Sequence, residues 1–162
     1  MAKRKKVTKK IGGPFLAAAV FCENVIDEKD GMISVVRIVD GCSISINEDA
    51  PPDFPSKANP IRISQSALIV IRTGDSPGKH NLKLIVQSPP GKRKAQPVQE
   101  VNLTPEQNGG ANVKINAILE AFSPGMFWFD VYIDGKRVTR MPYNLQIKRV
   151  TSTAPSPKKA RA

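Results

Sequence analysis

The stretch Met126–Ile147, MFWFDVYIDGKRVTRMPYNLQI, decides the fold. Phe127, Phe129, Val131 and Ile133 occupy alternate positions, and so do Tyr143, Leu145 and Ile147 further on. A period of two puts each set on one face of an extended strand. Between them lies Asp134-Gly135, a dipeptide suited to the left-handed turn of a two-residue hairpin. The segment therefore predicts two antiparallel strands sharing one apolar face, with Pro142 marking a bulge or an edge.

The same period runs outward from this hairpin. "ANVKINAILEAF" precedes it, following the turn at Gly109-Gly110, and "PVQEVNL" is a shorter strand before that. Leu82, Leu84 and Val86 alternate with Lys83, Ile85 and Gln87, between the turn at Pro77-Gly78 and "SPPG". "SALIVIRT" reads as a strand. "NEDAPPDFPSKANP" reads as a loop, because Pro51, Pro52, Pro55 and Pro60 forbid a regular ladder. "MISVVRI" and "CSISI" read as one long strand bent near Gly41. "PFLAAAVF" reads as a strand buried on both faces. No helical stripe competes. The expectation is an all-β protein: an antiparallel β-sandwich of about eight strands, immunoglobulin-like or of related Greek-key topology. The cysteine–tryptophan–cysteine order of antibody domains is missing, since Trp128 follows both cysteines.

The chain has 162 residues, of which 40% are hydrophobic, enough for one core. The net charge of +11 is unevenly placed. Lys3, Arg4, Lys5, Lys6, Lys9 and Lys10 stand in the first ten residues with no acid among them. Lys158, Lys159 and Arg161 stand near the other end, while residues 11–147 hold fourteen bases and fourteen acids. Residues 1–12 thus read as a disordered basic arm, 13–150 as the sandwich domain, and 151–162 as a disordered basic tail. The nine bases named are the candidate polyanion-binding residues, and "SPKK" at Ser156–Lys159 resembles the minor-groove-binding repeat of linker-histone tails. A basic face on the folded part is not expected from its neutral sum.

A basic run followed by "IGGPFLAAAVFC" superficially resembles a signal peptide. Gly12, Gly13 and Pro14 interrupt the apolar run, and Val20 and Phe21 stand where small residues should precede a cut at Cys22. The expected setting is cytoplasmic, and no apolar run is long enough to suggest a membrane span. In a hairpin around residues 23–31, Cys22 faces about residue 32 and Cys42 lies some ~33 Å further on. A disulfide needs Cα atoms within ~7 Å, so the expectation is two separate buried thiols.

"FCENVIDEKDGMISVVRIVDG", Phe21–Gly41, raises the question of chemistry with five carboxylates: Glu23, Asp27, Glu28, Asp30 and Asp40. A calcium loop fails, because Ile38 occupies the place of its terminal glutamate. No nucleophile elbow or phosphate-cradling glycine loop accompanies the acids. The structural reading accounts for more. Asp30-Gly31 is a turn dipeptide, and "CENVIDEK" fits a short helical or looped crossing. Glu23 can meet Arg37 across a hairpin as a partly buried pair.

This stretch resembles the signature of a bacterial family of uncharacterised proteins. Phe21, Cys22, Glu23, then Glu28, Lys29, Asp30, Gly31, then Arg37, Ile38, Val39 and Asp40 carry the resemblance, with "PGKHNLKLIVQSPPGK" and "PGMFWFDVYIDGKRV" later. It spans roughly residues 14–148 and implies a β-rich fold without implying an activity. The basic ends depart from the pattern and borrow no role from it.

His80, the only histidine, follows "SPGK" at a strand mouth and reads as a solvated loop-edge side chain. Sequence alone leaves a Ser–His–Asp arrangement open. "GKRK", Gly91–Lys94, reads as a charged hairpin tip that discourages edge pairing. Alternation leaves Trp128 and Tyr132 as the outward aromatics, with the carboxylate of Asp130 between them working against phosphate. Two cysteines and one histidine do not make a structural zinc site. The expectation is a non-catalytic binding or structural module, with no cofactor, no metal and no enzyme activity, acting on an unknown protein partner. The alternative is a nucleic-acid-associated accessory protein held by its basic ends.

Overall fold

The computed structural model describes residues 12–89, 96–105 and 109–151. Nine strands lie among them: β1 Phe15–Asp27, β2 Ile33–Val39, β3 Gly41–Asn47, β4 Ile61–Arg72, β5 His80–Gln87, β6 Gln96–Leu103, β7 Gly110–Ala121, β8 Gly125–Ile133 and β9 Lys136–Val150. They form a sandwich of two sheets, ordered β2-β1-β4-β7 and β3-β9-β8-β5-β6. The connections β2 to β3, β3 to β4, β4 to β5, β6 to β7 and β7 to β8 cross between the sheets. The candidate polyanion-binding residues Lys3, Arg4, Lys5, Lys6, Lys9, Lys10, Lys158, Lys159 and Arg161 lie outside the described residues, as does the "GKRK" tip.

Alternation builds the core. Phe127, Phe129, Val131 and Ile133 of β8 and Tyr143 and Leu145 of β9 are buried, as the opening hairpin predicts; Met141 joins them, while Ile147 is only partly buried. They meet Ile69, Ile71 and Ile115 from the other sheet in one cluster. Phe21, Phe129 and Tyr143 pack edge to face, with centroids 4.8 Å, 5.2 Å and 6.5 Å apart. Such pairs add about 0.5–1.5 kcal/mol each to their area burial. The Tyr143 hydroxyl donates to Gln65 Oε1 at 2.8 Å, and Gln65 Nε2 donates onward to the Cys22 carbonyl at 2.7 Å. A hydrogen-bonded chain thus joins β9 of one sheet to β4 and β1 of the other. Burial pushes the Tyr143 phenol well above its ordinary value.

Several expectations are corrected. The long strand bent near Gly41 is two strands in different sheets, which raises the count to nine. An ideal Cβ on Gly41 would lie 2.0 Å from the Asn144 carbonyl oxygen, so glycine lets the crossing chain run close against β9. The sandwich is not wholly antiparallel, because β3 lies parallel to β9. "PFLAAAVF" is not buried on both faces: within β1 only Phe21 and Cys22 are buried, and Phe15 is exposed. Nor does "CENVIDEK" cross as helix or loop; β1 continues to Asp27. Cys22 faces Ile38 rather than residue 32, and Cys42 sits in the other sheet, only half buried. The thiols are nevertheless separate and free. Pro142 opposes Trp128 of β8, while β3 meets β9 only from Asn144 onward. The proline therefore stands on a locally open edge.

Gly41→Ala is expected to lower stability by about 1–3 kcal/mol through forced backbone displacement. In a urea titration the midpoint falls while the slope stays that of the wild type. An unchanged midpoint contradicts the close approach of β3 to β9.

Candidate functional site

Three clusters of polar side chains carry the potential for chemistry, and each is built by a strand register. The first lies at the Asp134-Gly135 turn. Ile133 pairs with Lys136, and Asp134 and Gly135 take φ of 50° and 77°. This is the two-residue turn that the dipeptide predicts. The left-handed Asp134 aims its carboxylate at the start of β5. Its Oδ1 accepts from the Asn81 N–H at 2.8 Å, and its own N–H donates to the Asn81 carbonyl at 2.9 Å. Its Oδ2 lies 2.8 Å from His80 Nδ1, and His80 Nε2 lies 2.7 Å from the Ser76 carbonyl oxygen.

His80 is therefore not a solvated loop-edge residue: it is 8% exposed. Both ring nitrogens face acceptors, a carboxylate and a carbonyl, and only the imidazolium donates to both. The Asp134 bond, then the Ser76 carbonyl, raises the His80 pKa against the opposing effect of burial. The Asn81 amide, then His80, lowers that of Asp134. This geometry does not activate a nucleophile. Ser76 presents its carbonyl to the imidazole, while its hydroxyl Oγ donates to the Gly13 carbonyl at 3.1 Å. A nucleophilic triad requires the hydroxyl at the imidazole.

The second cluster lies on the outer face of the five-stranded sheet. Asp130 points outward as alternation requires, but it is 1% exposed, so the expected open carboxylate beside Trp128 is absent. Arg140 Nε and Nη2 grip its two oxygens at 2.6 Å and 3.0 Å, and Gln87 Nε2 donates at 2.7 Å. Arg137 approaches at 3.6 Å. Paired forks of this kind are the strong form of ion pair. Arg140 also lies over the Trp128 ring, 5.5 Å from its centroid, within the range of a cation–π contact. Trp128, 37% exposed, is fixed from below by a filled polar network and flanked by Met126 and Pro142. Tyr132, the other outward aromatic, is half buried.

The third cluster is the carboxylate stretch, which proves architectural. Lys29, Asp30 and Gly31 form the tip of the β1–β2 hairpin. There the Gly31 N–H donates to the Glu28 carbonyl at 3.0 Å and the Met32 N–H to Asp30 Oδ1 at 3.0 Å. Glu23 Oε1 meets Arg37 Nη1 at 3.0 Å, the expected partners, although both side chains are largely exposed rather than partly buried. Asp27 pairs with Lys114 of β7. Cys22 faces Ser66, and Ser66 faces Asn116. At the usual rise per residue a straight β1 would carry Asp27 about 20 Å beyond the level of Lys114. The hairpin must turn back across the sheet, and Arg37, with φ 46°, stands where it bends. No group of three or more His, Cys, Asp or Glu side chains is arranged to hold a metal ion among the described residues.

Sequence reasoning missed His80–Asp134 and Asp130–Arg140 as pairs. The signal for the first was the hairpin dipeptide itself, which fixes where the Asp134 carboxylate points. Arg149 of β9 donates to the carbonyls of Ala50 and Pro51 at 2.8 Å and 2.9 Å and pins the proline-rich loop.

No family model and no curated protein matches the chain. Among solved structures it is similar to a β-glucosidase from Listeria innocua, at 8% identity over 85% of this chain and a TM-score of 0.47. It is also similar to one from Streptomyces venezuelae, at 10% identity over 52% of this chain and a TM-score of 0.42. The chain spans only 17% and 14% of those proteins. Likeness at this level transfers no activity.

The pH dependence of stability follows from the raised His80 and lowered Asp134 values. The histidine contribution is fully present below its unfolded value of about 6.5 and is lost as pH rises through the higher folded value. The aspartate contribution is present above its unfolded value near ~3.9 and is lost as pH falls through the lower folded value. The melting temperature is expected to fall as pH rises above about 6.5, beyond the background slope of a His80→Asn chain. His80→Asn is expected to cost about 1–3 kcal/mol at about pH 6, because two acceptors lose their donors. Parallel pH profiles for the two chains contradict a buried imidazolium.

Proposed function

We propose that this chain is a non-catalytic binding module, and that its recognition surface is the outer face of the five-stranded sheet around Trp128. The observation that carries this reading is the Trp128–Arg140–Asp130–Gln87 network. Tryptophan, methionine and arginine are among the side chains enriched at protein interfaces, and here Arg140 lies over Trp128, with Met126 two residues along the same face of β8. An exposed indole held by a filled network has little conformational entropy left to lose on binding. The polar groups that resemble catalytic machinery are already committed to one another, which supports recognition rather than turnover. The partner in this reading is a protein. The setting is intracellular, in keeping with two free cysteines held in different sheets.

Trp128→Ala is expected to change the melting temperature little and to weaken partner binding by about thirty-fold or more, the size of an interface hot spot. The test compares proteins retained by immobilised wild-type and Trp128→Ala chains, with His80→Asn as a control for altered stability. Equal retention by the wild-type and Trp128→Ala chains contradicts the assignment.

The second reading, polyanion binding through the ends, rests on charge placement: nine bases outside a neutral middle. Engaging six to nine of them on duplex DNA predicts a log–log salt slope of about −5 to −8. Anisotropy titrations on the full chain and on a chain trimmed to 13–150 check it. Binding by the ends disappears on trimming. DNA binding that survives trimming overturns this reading and moves the contact to the folded surface.

A further inference from the structure

We infer that β7 is a pairing edge, and that its occupant is β7 of a second copy of this chain, joined antiparallel about a twofold axis at Ala117. The edge strands of the two sheets are β2, β7, β3 and β6. Edges left open invite pairing, and proteins blunt them with short length, proline, bulges or guarding charges. Two of these edges are blunted, and the third, β3, is much shorter than β7. β2 has seven residues and is broken by the left-handed Arg37. β3 has seven residues. β6 carries Pro97 and a register shift opposite Leu84/Ile85. β7 has none of these devices. It runs for twelve residues without proline and pairs with β4 without a single register shift.

The side chains that would guard the β7 edge are drawn back over its own sheet. Lys114 is held by Asp27 of β1, Asn116 accepts from the Ser66 hydroxyl at 2.9 Å, and Glu120 is held by Arg62 at 3.1 Å. Both latter partners stand on β4, so the tethers point away from the edge. Between these residues Ile118, 71% exposed, is the most exposed large hydrophobic side chain among the described residues.

The strand is self-complementary in one register. Pairing about Ala117 sets each residue opposite its mirror position in the partner strand, over 113–121 of each copy. On the outer face Lys114 then stands opposite Glu120 of the partner copy, twice by symmetry. This extends the existing ion pairs into alternating runs of Asp27, Lys114, Glu120 and Arg62. Asn116 stands opposite Ile118, and the two copies of Ile118 become diagonal neighbours beside the axis, within reach of each other. On the core side Val113 meets Ala121 and Ile115 meets Leu119, apolar against apolar. About eight backbone hydrogen bonds result, and the twofold closes the assembly without leaving β7 free to propagate. Residues 11–147 are neutral in sum, so the folded part does not oppose self-association. At about 0.15 M salt the charged ends are screened beyond ~8 Å.

Sedimentation of the full chain over a concentration series tests this. The wild type is expected to dimerise. Lys114→Glu faces Glu120 with a second acid, and Glu120→Lys faces Lys114 with a second base, so each variant alone should dissociate at least ten-fold more readily. In an equimolar mixture of the two variants, the acid introduced at position 114 of one chain stands opposite the base introduced at position 120 of the other. Native Lys114 and native Glu120 meet at the symmetry-related place, so both opposite-charge pairs return and the dimer should recover as a heterodimer. A wild type that stays monomeric at all concentrations overturns the inference, as does a dimer that both variants retain. Hydrogen exchange on the unmodified chain decides the matter if either variant folds poorly. Amides of 113–121 should gain protection with concentration while those of β2, β3 and β6 do not. Protection in β7 that is independent of concentration overturns the inference.

Discussion

The carboxylate of Asp134 is the constraint on which much of this sandwich depends. A two-residue hairpin forces its first turn residue into the left-handed region, where aspartate is among the few side chains tolerated. That backbone geometry directs the carboxylate toward the first residues of β5. There it accepts from the Asn81 amide and from an imidazole that has no other anionic partner among the described contacts. The turn of β8–β9 is thereby fastened to the strand beside it, and the His80 ring fastens that strand in turn to the loop carbonyl of Ser76. One side chain thus serves as turn former, ladder extension and counter-ion.

The same economy governs the other charged groups. Asp130 is buried only because Arg140 and Gln87 close over it, and their closure sets the platform under Trp128. Asp27, Glu23 and Asp30 shape and dock the β1–β2 hairpin. Among the described residues a fixed indole stands on the face of one sheet and a long, regular strand on the edge of the other. They lie on opposite sheets of the sandwich.

The alternation of apolar residues from Leu82 through Ile147 made the sandwich legible, because a period of two admits one inward face per strand. Asp134-Gly135 and Asp30-Gly31 marked both hairpins correctly. What was not legible was which sheet each strand joins. Ile33–Asn47 reads as one strand because nothing in its pattern marks a change of sheet except Gly41. The reason for that glycine, the Asn144 carbonyl, lies far along the chain. The polar pairs were hidden for the same reason. His80 and Asp134 are 54 residues apart. Asp130 faces outward by alternation yet is buried by an arginine that alternation cannot place. Glu23–Arg37 was visible because both residues belong to one hairpin, although its exposure was not.

The most direct test of the ion pair between the buried His80 and Asp134 is a nitrogen-15 NMR titration of His80, the only histidine in the chain. Both ring nitrogens are expected to carry protons at neutral pH, with the transition above the ordinary histidine value of about 6.5. A neutral ring with a single protonated nitrogen at neutral pH, and a transition at or below that value, contradicts it.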